Sequence, residues 1–346
     1  MSCVLAAVMV IGLLGGCQAG TTATTAGTSA STASLSTTSG ASAKKFVALS
    51  ISNTQNDFMA AMVSGLKEKF EAEGIRFESA SADADSTKQI QQIENFITMK
   101  PDVIMELAVE PTALTDVNKK AMAQGIKIFD FTTNTGADTV YYGADEPTIG
   151  KEIAKIASKW IDTTFPNAAD GSVNAVLFKY YSSSDGKKRS DGMDALSTLN
   201  KKVKVTKTLE VENTTSACQK AVENLFQTNP ETKVILCYNG AMAAGVNTYV
   251  MSPNSGVKDV SRFGVFGSEI TAEFANDIKL SASNKAVFRG SVQIGGTIPE
   301  VIGMAHDIMA KMLNNNYEKV YYGQMTDIDT SNIDAVLKTF SSSSSK

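Results

Sequence analysis

Nine short apolar runs recur along the chain, beginning near Phe46, Ile75, Val103, Ile126, Val173, Val205, Val234, Phe263 and Val287. They repeat about every 30 residues, and a helix-period segment follows each, which is the pattern of linked βαβ units. After Phe46–Ile51, for example, Met59, Met62, Val63, Leu66 and Phe70 fall on one helical face, and Gly74 stands where a left-handed cap is wanted. Ser86 and Gln89 read as a capping box ahead of Ile90, Ile93 and Ile97, Pro101 follows that helix, and Gly125 closes the next. Near-continuous apolar strands imply parallel sheets covered on both faces. Nine or ten strands sit awkwardly in one open sheet, and 346 residues exceed the ~250–300 at which a single core stops growing. The expected fold is therefore α/β, with two doubly wound parallel-sheet lobes. The longest connection, Thr133 to Ser172, carries the helix Ile149, Ile153, Ile156, Trp160, and places a change of lobe near Ala144–Glu146. In open α/β sheets ligands sit outside the carboxyl ends of the strands, so two such lobes face each other across a cleft.

The N-terminus has a different character. An apolar run from Val4 to Leu14 ends in Gly15-Gly16-Cys17 and is too short to span a bilayer. An apolar stretch closed by small residues is an export signal rather than a fold element. The small residues ending in Cys17 resemble a bacterial lipobox, and the resemblance implies cleavage after residue 16 and lipidation of Cys17. The alternative is an ordinary secretory signal with an incidental cysteine. No Lys or Arg precedes Lys44, so the basic segment that usually opens such a signal is missing from this stretch. Residues 17–43 are almost wholly Ser, Thr, Ala and Gly, too poor in apolar surface to fold, and read as a tether. Residues 341–346, a serine run ending in lysine, are expected to fray.

Five segments resemble type I periplasmic solute-binding proteins, closest to the ribose-binding branch that feeds ABC importers. Ser52-Asn53-Thr54-Gln55-Asn56-Asp57-Phe58-Met59 is similar to the family's first-strand motif, Glu110-Pro111-Thr112 to its Asn-Pro-Thr, and Arg189-Ser190-Asp191-Gly192 to its Arg-Gly-Glu-Gly. Tyr238-Asn239-Gly240-Ala241-Met242-Ala243-Ala244-Gly245 is similar to its Gln-Asn-Asp-Glu-Met-Ala-Leu-Gly, and Gly267-Ser268-Glu269 takes the place of Gly-Phe-Asp. Gln293 matches a Gln at the end of a strand returning between lobes. The resemblance runs from about Lys45 to Asp329. It implies lobes of 44–144 plus 294–325 and 145–293 plus 326–340, joined by a three-segment hinge at Ala144–Glu146, the end of the strand at Gln293, and near Thr326–Asp329. It also implies a sugar held by Asn56, Asn239, Glu269 and Gln293 with Phe58 stacking on its C–H face. Amides and carboxylates suit hydroxyls that both donate and accept, and aromatic faces suit apolar sugar surface.

The pattern departs in places. Thr132-Thr133 replaces the family's Asp-Arg, Lys187 a second Arg, and Glu110 an Asn. Guanidinium and ammonium are not interchangeable in such roles, so ribose gives way to another monosaccharide, a polyol or a similar solute. Local readings compete at each position. Asn56 and Asn239-Gly240 also suit turns or caps, Glu269 suits a helix start, and Lys187 and Arg189 suit a solvated loop.

Composition narrows the function class. Net charge is −4, without the basic footprint that nucleic-acid binding needs. The one histidine, His306, falls beside the apolar stripe of its helix and reads as a surface residue. No Gly-x-Ser-x-Gly, P-loop, dinucleotide fingerprint or Cys/His metal cluster is present, so neither an enzyme nor a cofactor or metal is expected. Cys218 and Cys237 read as two buried thiols, a disulfide being the alternative that export allows. The expected protein is a monomeric, extracytoplasmic, lipid-anchored binder serving an ABC permease. A sensor acting through a chemoreceptor or histidine kinase, or a binder of a non-sugar molecule, is the alternative.

Overall fold

A computed structural model describes residues 44–55 and 57–343. The expected signal, Cys17, the tether and Asn56 lie outside the described residues. Twelve strands among them form two six-stranded sheets. The first holds β1 (Phe46–Ile51), β2 (Arg76–Ser81), β3 (Val103–Leu107), β4 (Lys127–Phe131), β5 (Val140–Gly143) and β11 (Val320–Tyr322), in the order β11-β5-β4-β3-β1-β2. The second holds β6 (Val173–Lys179), β7 (Val203–Glu210), β8 (Val234–Cys237), β9 (Gly264–Ser268), β10 (Phe288–Ile294) and β12 (Met325–Asp329), in the order β12-β10-β9-β8-β6-β7. Every pairing is parallel except that of β12 with β10.

Among the described residues ten α-helices connect these strands and an eleventh follows the last: α1 (Asp57–Ala72), α2 (Ser86–Met99), α3 (Pro111–Ala123), α4 (Glu146–Thr164), α5 (Ser184–Gly192), α6 (Leu196–Leu199), α7 (Thr215–Thr228), α8 (Gly240–Val250), α9 (Ala272–Ser281), α10 (Ile298–Leu313) and α11 (Ile333–Ser343). Both faces of each sheet are covered, as apolar strands require. Met62, Leu66 and Phe70 of α1 pack with Ile302 and Met309 of α10 on one face of the first sheet, and Ile93 of α2 with Leu114 of α3 on the other. The second sheet is covered by α4 through Ile149, Ile153 and Ile156, and opposite by α7, α8 and α9.

The chain passes between the sheets three times: from Gly143 into α4, from β10 into α10, and from β11 to β12. β5, β10 and β11 all end at these passages, and β12, antiparallel to β10, begins at one. All three passages therefore leave from the carboxyl edges, which makes those edges face each other. The passages are tied together: Gly323 N donates to Gly143 O at 2.9 Å, and Gly295 N to Gln324 O at 2.9 Å. Gly295 has φ +80°, a left-handed conformation cheap only for glycine.

Several sequence expectations need correction. The third passage is at Gly323-Gln324, because Thr326–Asp329 already pair with β10 inside β12. Ile294 and Met325 pair with each other in the second sheet, one residue from the expected boundaries. β5, β11 and β12 were not expected as strands. Helix α2 is capped by Asp85, which accepts from Thr87 N and Lys88 N, and not by Ser86. Gln89 instead turns inward, donating to Leu107 O and accepting from Val109 N. His306 is buried: its ring lies tilted, 4.7 Å from that of Phe70, with Nε2 3.0 Å from Glu73. Helix α11 continues through Ser343, past the point where fraying was expected. Cys218 and Cys237 are free and buried, and burial pushes the Cys218 thiol up to about 12 and that of Cys237 well above its usual value.

Candidate ligand site at the facing strand edges

On the first lobe, Phe58 enters α1 half-buried against the core that Met62 and Leu66 anchor. Glu110 caps α3, accepting from Thr112 Oγ1 at 2.9 Å and Thr112 N at 3.4 Å, so its carboxylate is spent on the helix start but remains exposed. Thr132 and Thr133 are exposed just past β4. Thr132 has φ +71°, a conformation that β-branched residues rarely adopt, and its N–H donates to Tyr142 O at 2.7 Å. Strain of this kind collects at functional sites.

The second lobe repeats the device. Glu269, just past β9, has φ +67° and donates its N–H to Val292 O at 2.7 Å. The two strained residues occupy corresponding strand ends, one at each carboxyl edge.

Around Glu269 a charged network is assembled. Arg189 on α5 is buried and makes four hydrogen bonds. Nε and Nη2 grip Glu146 Oε2 and Oε1 at 2.6 and 3.1 Å, a bidentate pair at the start of α4. Nη1 donates to Ser268 Oγ and Glu269 Oε1, both at 2.8 Å. Burial works against the guanidinium's charge, but Glu146 with Glu269 outweighs it and raises the pKa, so Arg189 stays protonated. The Glu269 side chain is 54% exposed, which leaves a carboxylate edge facing outward from a fixed base. The reach of Arg189 to Glu146 depends on close backbone packing. A Cβ at Gly150 would lie 2.0 Å from Arg189 O, and one at Gly192 2.3 Å from Pro147 O, so α4 and α5 touch where both lack side chains.

Three further groups complete the wall. Tyr238 follows β8, with its ring 5.2 Å from that of Tyr180 and 4.5 Å beneath the Arg189 guanidinium. Asn239 caps α8 by accepting from Met242 N at 3.0 Å. Gln293, near the end of β10, donates Nε2 to Ile294 O at 3.2 Å, while its Oε1 is buried without a hydrogen-bond partner. Lys187 stands apart. It is exposed and pairs along its own helix with Asp191, 5.5 Å over the Tyr181 ring.

The strand edges thus collect Arg189, Glu269, Asn239 and Gln293 on one lobe, and Phe58, Glu110, Thr132 and Thr133 on the other. Glu146, Ser268 and Tyr238 belong to the same arrangement and were missed as site residues. Tyr238 stood in the quoted motif without a role, and the pairing of Glu146 with Arg189 across 43 positions leaves no local signal. Among the described residues no group of three His, Cys, Asp or Glu side chains is placed to hold a metal ion.

Two α/β lobes linked by three passages of the chain, with polar and aromatic groups on facing edges, define a cleft-type solute binder. Residues 47–301 match the family model described as a periplasmic binding protein domain, and the chain belongs to that family. It is 23% identical over 240 residues to the ribose import binding protein RbsB of Bacillus subtilis (strain 168), covering 68% of this chain and 74% of the relative. Among solved structures, a periplasmic ribose ABC transporter protein from Conexibacter woesei DSM 14684 superposes with TM-score 0.67 at 18% identity, over 85% of this chain and 95% of the other. An ABC transporter solute binding protein from Bacillus halodurans C-125, solved with bound myo-inositol, gives TM-score 0.61 at 18% identity, over 87% and 99%. At these identities the superpositions establish the type I two-lobed fold.

Proposed function

We propose that this protein captures a small uncharged carbohydrate, a monosaccharide or a polyol, between its lobes and delivers it to a membrane ABC permease. The observation that carries the reading is the buried, unpartnered Oε1 of Gln293 at the carboxyl edge of β10, on the strand next to the one that Glu269 follows. A buried acceptor without a donor is costly, and a hydroxyl from a bound solute supplies the missing donor. The Tyr238 ring stands in the same wall, packed between Tyr180 and the Arg189 guanidinium. The names of the relatives, which include ribose and myo-inositol binders, support the same solute class.

Closure follows from the topology. The glycine-bearing passages at Gly143, Gly295 and Gly323 let one lobe rotate on the other, and a solute touching both favours the closed form through contacts absent from the open one. The lipobox-like Leu14-Gly15-Gly16-Cys17 supports anchoring through lipidated Cys17 outside the cytoplasmic membrane, with residues 18–43 as the tether.

The test is a thermal-shift screen of the folded protein against pentoses, hexoses, inositols and other polyols. A ligand at a hundredfold excess over its dissociation constant stabilises the folded state by ~2.7 kcal/mol. A saccharide or polyol hit that weakens when Gln293 or Asn239 is changed to Ala is the expected result. A cooperatively folded protein that shifts with none of them contradicts the carbohydrate assignment.

A further inference from the structure

Beneath the Thr132–Thr133 loop the first sheet buries two carboxyl groups on one face. Glu106 of β3 and Asp130 of β4 are register neighbours on adjacent parallel strands, which places them about 4.8 Å apart along the sheet. Met105, Leu107, Phe129 and Phe131 belong to the core on one face, so Glu106 and Asp130 project from the other, with Ile104 and Ile128, under α2 and α3. Both are essentially inaccessible, at 1% and 0%.

Their hydrogen bonds are unequal. Asp130 Oδ2 accepts three, from Thr135 N at 2.8 Å, Thr135 Oγ1 at 2.9 Å and Thr139 Oγ1 at 2.6 Å. Glu106 Oε2 accepts one, from Asn118 Nδ2 at 2.9 Å. The remaining oxygens, Glu106 Oε1 and Asp130 Oδ1, are buried with no partner. The two unpartnered acceptors belong to register neighbours on one face of the sheet; two ionised carboxylates so placed repel each other, and a hydrogen shared between them would satisfy both.

We propose that Glu106 is protonated and donates Oε1–H to Asp130 Oδ1, and that this shared proton positions the loop presenting Thr132 and Thr133 to the cleft. The loop is tied to the pair because Thr135 and Thr139 both end on the ionised Asp130. Burial is the main cause that pushes the Glu106 carboxyl up, to about 8; Asn118 opposes it and Asp130 adds to it. Burial raises Asp130 too, but its three donors work against that, which makes Asp130 the ionised partner.

Among the described residues Asp130 is the charged group that acts on Glu106, and the neighbouring cations pair elsewhere. From α2, Lys88 pairs with Asp83 and Glu94 with Lys120 of α3 on the exposed side; Lys119 of α3 pairs with Asp116, and Asp138 of the loop with Lys319. From β1, Ser50 faces Glu106 in register, and it is Gln89 that donates to its hydroxyl.

The sign of the pH effect follows. Between the ordinary value of 4.5 and about 8 Glu106 holds a proton in the folded state that it lacks in the unfolded chain. Its contribution to the folding constant therefore falls roughly tenfold per pH unit across that window and levels above it. Glu106→Gln keeps a donor to Asp130 and an acceptor for Asn118 but cannot ionise.

The experiment is infrared spectroscopy of the protein in heavy water, following the carbonyl band of un-ionised carboxyl groups, together with denaturant unfolding as a function of pH. At neutral pH the exposed carboxyls are ionised, so the wild-type protein should show such a band, lost on titration near pH 8. Glu106→Gln should lack it and should lose about one proton's worth of pH slope. Amide exchange over 132–139, corrected for intrinsic rate, should quicken above pH 8 in the wild type and not in Glu106→Gln. A wild-type spectrum without the band at neutral pH overturns the proposal even if the variant does not fold. So does a band retained in Glu106→Gln, or a stability set instead by sodium or potassium concentration. The role for the cleft rests on the function proposed above; the proton does not, so loss of the band and loss of sugar binding fail separately.

Discussion

Gly150→Ala tests whether the site depends on the contact between α4 and α5. The added Cβ would lie 2.0 Å from Arg189 O, 2.8 Å from Gly192 Cα and 2.9 Å from Met193 N. All three are backbone atoms, so no side chain can swing aside. A tolerable contact of about 3.4 Å requires α5 to retreat by about 1.4 Å. The Arg189–Glu146 bonds at 2.6 and 3.1 Å would then stretch beyond hydrogen-bond range. Overpacking costs ~1–3 kcal/mol, and breaking a buried pair ~3–5 kcal/mol. The two do not add, because the retreat that relieves one causes the other, and a net loss of ~3 kcal/mol is expected. At roughly 2–4 °C per kcal/mol for a chain this long, Tm should fall by roughly 6–12 °C. Gly303→Ala is the control. It sits inside α10 with nothing within 4 Å of its Cβ position, so it should stabilise by ~0.5–1 kcal/mol through helix propensity. Thermal unfolding by circular dichroism reads both. A Gly150→Ala protein melting within about 2 °C of wild type would refute the reasoning, as would an equal drop in Gly303→Ala.

Two further outcomes follow. Gln293→Met removes an acceptor that is unpartnered in the free protein together with the Nε2 bond to Ile294 O at 3.2 Å, two effects of opposite sign, so the stability of the free protein should change by less than ~1 kcal/mol while affinity for the carbohydrate hit falls at least tenfold, on the order of 1.4 kcal/mol; calorimetric titration beside thermal melts separates the two effects. Cys218 and Cys237 should resist iodoacetamide at pH 8 in the folded protein and react on unfolding, because burial holds both thiols protonated and covered; rapid labelling of either in the native state contradicts the packing around α7 and β8.

Much of the architecture was legible because periodicity reports burial. β1, β3, β6, β8 and β9 are mostly apolar and covered on both faces, so they stand out as runs. β5 has four residues, Val-Tyr-Tyr-Gly, too few to display a period. β11 has three, and β12 reads Met-Thr-Asp-Ile-Asp because an edge strand keeps its polar side toward water. Missing β12 is what displaced the third passage from Gly323 to Thr326. At the site, the strand-end residues could be placed because α/β topology fixes where such positions lie. Their partners could not be, since Arg189 meets Glu146 and Ser268 only after three elements have packed. His306 read as a surface residue because a position beside the apolar stripe gives no sign that Phe70 lies under its ring. The Glu106–Asp130 pair did leave a trace: each is the fourth residue of an apolar strand, the position where adjacent parallel strands bring them side by side.

The central claim is that one small carbohydrate bridges the two lobes and draws them together. Small-angle X-ray scattering of the protein with and without a saturating saccharide or polyol hit tests it most directly. Closure about the passages at Gly143, Gly295 and Gly323 should contract the radius of gyration and narrow the longest interatomic distances. A ligand that binds tightly, with an unchanged scattering profile, would mean that it occupies one lobe or another surface and that the facing edges are not the site.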